Sequence, residues 1–121
     1  MPNLDLVEGL LDSDVSFVGS LGNDVMNRDG FKSYATNILS SLSSYRCVIE
    51  RIIDEENKAV VEVLFSGIHT GDFLGYSPTG QLVQWRGVAH FEESNGKLLH
   101  IEVKSDTAAL KLLLDKQRRG L

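Results

Sequence analysis

The chain has 121 residues, carries a formal net charge of -5, and is 42% hydrophobic and 24% charged. This length and composition suit one domain, residues 1–121, with a single buried core. The acidic balance argues against nucleic acid as a partner, because phosphate binding needs a basic surface. The basic cluster Lys116–Arg119 is typical of the last turn of a helix, where the helix dipole favours cations.

The cysteine and histidine residues limit which disulfides and metal sites the chain can form. Cys47 is the single cysteine, so no intramolecular disulfide is possible, and its apolar strand pattern predicts a buried thiol. His69, His90 and His100 lack metal-ligand spacing, and we expect neither a metal nor a cofactor. The first residues do not resemble a signal peptide, and no apolar run is long enough to span a bilayer. A soluble, cytoplasmic protein without a membrane partner is the expectation.

The first part of the chain predicts helices. Leu4–Leu11 has apolar residues at helical spacing, with Asn3 as a cap, and Val15–Val18 then predicts a short strand. Asp29–Leu42 predicts an amphipathic helix capped by Asp29. The apolar face of this helix consists of Phe31, Tyr34, Ile38 and Leu42.

From Tyr45 onward the apolar period changes to two, which predicts strands. The four predicted strands are Tyr45–Ile53, Lys58–His69, Gln81–Glu92 and Lys97–Lys104. A last helix follows over Asp106–Gln117, with Ser105 or Asp106 as its cap and Gly120 near its end. This order predicts an α+β fold in which helices cover one face of a curved, mainly antiparallel sheet.

Alternation assigns a face to each side chain of the last two strands. The predicted inward residues are Val83, Trp85, Gly87, Ala89 and Phe91 on one strand and Leu99, Ile101 and Val103 on the next. The polar outward residues include Gln84, Arg86, His90, His100 and Glu102.

The connection between the second and third predicted strands, Gly67–Gly80, reads GIHTGDFLGYSPTG. Together with Gly87, Phe91 and Asn95–Lys97 it resembles the SnoaL-like ester and polyketide cyclases, a branch of the nuclear transport factor 2-like superfamily. Members of that family carry a Gly-x-His-x-Gly-x-Phe-x-Gly stretch, a Pro-Thr-Gly turn and an Asp-Gly-Lys turn. Gly30-Phe31 is similar to the start of their second major helix, and the resemblance covers roughly two-thirds of the chain.

The resemblance implies a cone-shaped, cystatin-like domain: a strongly curved sheet around a pocket, closed by helices and often dimeric. In that fold Gly67–Gly80 is the turn at the mouth of the cone. The ordinary interpretation of His69 is a ring that ties this loop together by hydrogen bonds. The alternative is a catalytic acid/base pair of His69 and Asp72, with Tyr76 adding a hydrogen bond.

Two departures from the family pattern bear on function. The family's acid/base positions fall on Ala89 and Val103, which cannot exchange a proton. Family members also begin with a long helix that covers the cone, whereas this chain begins about where that helix ends. The leucines of the last predicted helix, or a second subunit, are expected to replace it, since surplus apolar surface indicates an interface. Those leucines are Leu110, Leu112, Leu113 and Leu114.

The leading hypothesis is a domain that binds a small hydrophobic molecule in an apolar cone. Its predicted ligand-binding residues are Phe31, Tyr34, Val83, Trp85, Ala89, Phe91, Leu99, Ile101 and Val103. One alternative is a cyclase, isomerase or hydratase that uses His69 and Asp72. Another is a dimeric interaction module with a filled cone, paired through the polar outward face. We expect a homodimer both for the ligand-binding domain and for the interaction module.

Overall fold

The computed structural model describes residues 11–19 and 25–120, which form six strands and two helices. The strands are β1 (Leu11–Val18), β2 (Val25–Met26), β3 (Leu42–Glu55), β4 (Lys58–His69), β5 (Leu82–Ser94) and β6 (Lys97–Ser105). The helices are α1 (Arg28–Ser41) and α2 (Thr107–Arg118). The sheet order is β2-β1-β6-β5-β4-β3. β1 runs parallel to β6, and every other neighbouring pair is antiparallel.

The two helices begin at side-chain caps. The Asn27 side chain accepts a 2.9 Å hydrogen bond from the Gly30 N–H, so Asn27 caps α1 and the predicted cap Asp29 lies inside the first turn. Of the two predicted caps, Ser105 and Asp106, it is Asp106 that caps α2, accepting a 3.0 Å hydrogen bond from the Ala109 N–H. Within the described ranges neither helix is long and apolar enough to cross a membrane.

The predicted strands are all present, and β4 has the predicted bounds. Asn95 and Gly96 connect β5 to β6 with φ angles of +53° and +80°, as a two-residue hairpin turn requires. The short strand predicted at Val15–Val18 extends back to Leu11 in β1. The predicted helix Leu4–Leu11 otherwise lies outside the described residues.

A bulge in β6 changes one predicted face. Glu92 pairs with His100 and Glu93 with Leu98, so Leu99 is left without an opposite residue. The alternation therefore restarts there. Leu98 packs against the apolar cluster that contains Ile101, and the inward assignment of Leu99 was wrong.

The two larger of three buried apolar clusters in the described residues lie at opposite ends of the sheet's covered face, and the third consists of Val61, Val63 and Ala89. One is covered by α2 and contains Leu42, Phe73, Val83, Trp85, Leu110 and Leu114. The other joins β1 to β6 and α1, and contains Leu11, Val15, Phe17 and Ile101. In α2, Leu110 and Leu114 are fully buried, whereas Leu112 is 63% exposed. Leu110 and Leu114 thus form one buried stripe, and Leu112 lies outside it. Through this stripe α2 packs on β5.

Candidate functional site: an apolar cavity

A cavity of about 420 Å³ lies between α1 and the concave face of the sheet. This volume falls in the range of small-molecule sites, roughly 300–1,000 Å³. Its walls are almost wholly apolar. Besides the residues predicted from sequence they include Leu11, Phe17, Ala35, Ile38, Leu39, Ile49, Val61, Val63, Phe65 and Leu98.

Seven of the nine residues predicted to bind a ligand line this cavity: Phe31, Tyr34, Trp85, Ala89, Phe91, Ile101 and Val103. Leu99 does not, because of the bulge in β6. Val83 does not either: it pairs with Gly67 and is buried in the cluster under α2. Phe73 and α2 fill the concave side of the sheet at that end. Contact of the seven with a ligand stays a prediction.

Aromatic rings give the cavity rigid walls. Phe17 meets Phe31 edge to face with ring centroids 4.7 Å apart. On the other side of the cavity Phe65 stacks on Trp85, with the ring centroids 5.2 Å apart. The Trp85 Nε1 atom is buried without a hydrogen-bond partner among the described residues. Trp85 is also the single tryptophan of the chain, so its emission reports on this cavity.

Besides the Trp85 indole N–H on β5, the polar side-chain groups of the cavity wall lie on β3 and α1. Burial raises the pKa of the Tyr45 phenol above its ordinary value, and the neighbouring Cys47 and Tyr34 raise it further. Partial burial of the sulfur atom against the cavity wall also raises the pKa of the Cys47 thiol, although the residue as a whole is exposed. Both groups therefore stay protonated at neutral pH and can donate hydrogen bonds.

Cys47 differs from its predicted environment. The residue is exposed, although it lines the cavity, so the prediction of a buried thiol was wrong. The reason is its place in the sheet: β3 is an edge strand, with β4 as its one neighbour among the described strands. Apolar alternation looks the same in edge and central strands, and it could not reveal this exposure.

His69 ties the loop after β4 together. Its side chain is fully buried, with Nδ1 3.3 Å from the Thr79 hydroxyl. Its backbone N–H donates to Gln81 at 2.9 Å, and its carbonyl accepts from Gly80 at 2.8 Å. The ring Nε2 atom is buried without a partner in the described part of the chain. These contacts match the ordinary interpretation of His69.

The structure does not join His69 to Asp72. Asp72 is exposed, and its backbone carbonyl accepts a hydrogen bond from the Ser41 hydroxyl. Within the described residues no hydrogen bond or ion pair connects the two side chains, and neither lines the cavity. The Tyr76 hydroxyl donates instead to Asp115 on α2, at 2.7 Å. A catalytic role of His69 and Asp72 stays a prediction that this geometry does not favour.

The glycines of the same loop meet conformational demands. A Cβ atom at Gly71 would lie 2.4 Å from the Ser40 carbonyl oxygen, so the loop can approach the end of α1 only without a side chain. Gly75 and Gly80 adopt positive φ angles of +84° and +70°. These glycines therefore allow the loop to turn back and pack against the end of α1.

Comparisons with known proteins agree with this architecture. The sequence profile of the SnoaL-like polyketide cyclases matches residues 2–112. The chain belongs to the SnoaL-like polyketide cyclase family. A search of curated proteins found no match.

Several solved structures have the same fold as this SnoaL-like chain. AclR, a candidate hydroxylase from Streptomyces galilaeus, superposes with a TM-score of 0.83 at 19% identity, covering 94% of this chain and 71% of AclR. A candidate SnoaL-like polyketide cyclase from Jannaschia sp. CCS1 has a TM-score of 0.84 at 19% identity. The match covers 92% of this chain and 77% of the Jannaschia protein. IdmH, a candidate polyketide cyclase from Streptomyces antibioticus, superposes with a TM-score of 0.82 at 15% sequence identity. The match covers 93% of this chain and 87% of IdmH. The predicted family and fold are thus confirmed.

In this SnoaL-like chain the two positions that the resemblance assigns to acid/base chemistry face each other. Ala89 on β5 pairs directly with Val103 on β6, and both line the cavity. The wall is therefore apolar at the point where the family pattern would place titratable groups. No group of three or more His, Cys, Asp or Glu side chains in the described ranges is arranged to hold a metal ion.

A second concavity, of about 440 Å³, is more polar and more open. Glu50, Arg86 and Lys104 line it. These charges are already paired: Arg86 Nε lies 3.0 Å from Glu50, and Lys104 lies 3.5 Å from Glu102. The apolar cavity is the better candidate for a ligand, because its walls offer unshielded apolar area.

Proposed function

We propose that this protein binds a small, mainly hydrophobic molecule in the cavity between α1 and the sheet, without the acid/base pair of related cyclases. The observation that carries the proposal is the pairing of Ala89 with Val103 inside an apolar cavity. Proton transfer needs a titratable group within hydrogen-bond reach of the reacting atom. Two hydrocarbon side chains offer affinity for apolar surface instead.

The polar corner of the cavity narrows the class of ligand. Tyr45 and Cys47 are protonated donors whose pKa values burial raises. A hydrophobic molecule with one hydrogen-bond acceptor, such as a ketone or ether oxygen, fits this arrangement better than an anion or a cation.

A cytoplasmic location is part of the same proposal. The only cysteine of the chain is Cys47, and it is a free, exposed thiol. Exposed free thiols suit a reducing compartment, where they are not oxidised to disulfides.

The neutral fluorescent probe N-phenyl-1-naphthylamine tests the proposal. Bound in the cavity it lies near Trp85, so it gains emission and quenches the tryptophan by energy transfer. Ala35→Leu extends a side chain from α1 into the same space, and leucine is nearly as good a helix former as alanine. The variant is expected to weaken probe binding at least tenfold.

Ala108→Leu is the matched control, because Ala108 is exposed on α2 and the substitution is the same. It should bind the probe as the unmodified protein does. The proposal fails if the unmodified protein shows no quenching of Trp85 by the probe. It also fails if Ala35→Leu, with unchanged circular dichroism, binds the probe with full affinity.

A further inference from the structure

The outer edge of β3 exposes an unusual amount of apolar surface. Val48, Ile49, Ile52 and Ile53 are 40%, 56%, 57% and 54% exposed. β3 is 14 residues long and has β4 as its one partner in the described sheet. Long edge strands with apolar side chains are templates for pairing with another strand, and proteins usually shorten or shield them.

A bulge in β3 decides which side chains share a face. Ile49 pairs with Val63 and Arg51 with Glu62, so Glu50 is an extra residue. Two apolar residues three positions apart, Ile49 and Ile52, therefore both lie on the concave face, opposite Val63 and Val61. Val48 and Ile53 correspondingly lie on the convex face.

The bulge makes the strand symmetric about the Glu50-Arg51 peptide bond. Residues at equal distances from this bond share a face: Ile49 with Ile52, and Val48 with Ile53. Arg46 and Glu55 form the next such pair on the convex face, opposite Ser66 and Lys58. Without the bulge, an axis at this bond would set concave residues against convex ones.

This symmetry makes β3 complementary to a second copy of itself. In an antiparallel pair of identical strands with a two-fold axis at the Glu50-Arg51 bond, each residue lies opposite its mirror position. Ile49 then meets Ile52 of the second copy, Val48 meets its Ile53, and Glu50 meets its Arg51. Arg46 meets Glu55, so the isoleucines and Val48 face apolar side chains and these charges face opposite charges. On the concave face the thiol of Cys47 meets the carboxylate of Asp54, a polar contact that lies outside the apolar centre.

We propose that a second copy of this chain docks on β3 in this register and continues the sheet across the two-fold axis. The pairing would cover the exposed isoleucines. It would also extend the cavity wall, because Ile49 lines the cavity and stands next to the isoleucines of the second copy. The proposal goes beyond ligand binding and does not depend on it.

The self-complementary charges favour this interface over the polar outward face of β5 and β6. On that face the charged groups are satisfied within one chain: Arg86 pairs with Glu50, and Glu102 with Lys104. Glu50 is thus partly engaged in the chain itself. Arg46 and Glu55 lie further from the axis and are exposed, so they are the better pair for a test.

Charge reversal tests the register by sedimentation equilibrium at low salt. Arg46→Glu and Glu55→Arg each place two like-charge pairs across the axis, and each should weaken dimerisation about tenfold or more. The double variant should regain the affinity of the unmodified protein. An equimolar mixture of the two single variants should form a heterodimer, since both of its charge pairs are then opposite in sign.

Hydrophobic variants give an independent readout with a matched control. Ile53→Lys on the convex edge should produce a monomer with unchanged secondary structure, and Leu112→Lys on α2 should leave the dimer intact, although Leu112 is at least as exposed. The proposal is overturned if the unmodified protein is monomeric at micromolar concentrations. It is equally overturned if the mixture of single variants shows no gain over its components, or if a dimer withstands Ile53→Lys.

Discussion

Replacing Leu114 with alanine measures how strongly α2 is held to the sheet. Leu114 is fully buried, and it belongs to the cluster that joins α2 to Trp85 and Phe73. Alanine removes the part of the side chain that makes these contacts and leaves a cavity that the helix cannot close without moving. The substitution does not weaken the helix itself, because alanine is the better helix former.

The expected loss is large for a protein of this size. A fully buried Leu→Ala change costs about 2–5 kcal/mol of unfolding free energy. With an unfolding entropy of roughly 2.1 cal/mol/K per residue over 121 residues, each kcal/mol corresponds to about 4 °C of Tm. Leu114→Ala should therefore lower Tm by about 8–20 °C in a thermal scan followed by circular dichroism.

Leu112→Ala is the matched control on the same helix. Leu112 is exposed, so the substitution should change the stability by less than about 0.5 kcal/mol. Urea unfolding of both variants gives the free energies directly. Equal losses for the two variants would refute the assignment of the buried stripe of α2.

Two further variants probe the loop after β4 and the polar corner of the cavity. Gly71→Ala should lower stability by about 1–3 kcal/mol in urea unfolding, because its Cβ would lie 2.4 Å from the Ser40 carbonyl oxygen; a change below about 0.5 kcal/mol would contradict that close approach. Folding raises the pKa of Tyr45 above its ordinary 10.0, so the stabilisation that it contributes is present below pH 10 and is lost as the pH rises further. Spectrophotometric titration should show one tyrosine ionising only with alkaline unfolding, and Tyr45→Phe should remove that step; an unchanged titration of the variant would refute the assignment.

Local patterns predicted five of the six strands and missed the two-residue strand β2. Period-two alternation over Lys58–His69 gave both ends of β4, because turn residues bound the run on each side. The helical pattern after Ser105 and Asp106 left both as candidate caps, and the structure shows that Asp106 is the cap. For α1 the two acceptors Asn27 and Asp29 are two residues apart, and sequence alone did not show which one meets the Gly30 N–H.

The missed site residues have physical causes. The bulge at Leu99 interrupts a run of apolar residues without any turn residue to mark it. Val83 lies on the predicted face, but whether that face borders a cavity or a filled core depends on α2, which is distant in sequence. Phe65 and Val63 could have been added to the predicted wall from the alternation of β4 alone, since they share a face with Val61.

The pairing of Ala89 with Val103 also makes this chain a starting point for building an enzyme. The Cβ atoms of directly opposite residues lie about 5 Å apart, which is a workable separation for two cooperating side chains. A carboxylate introduced at either position would be desolvated by the apolar wall, and its pKa would rise towards neutrality. A general base of that kind is what proton abstraction near pH 7 requires. Because the cavity is already present, any activity gained by substituting these two residues would come from the introduced acid/base groups alone. The contribution of the catalytic groups could then be measured separately from that of the binding site.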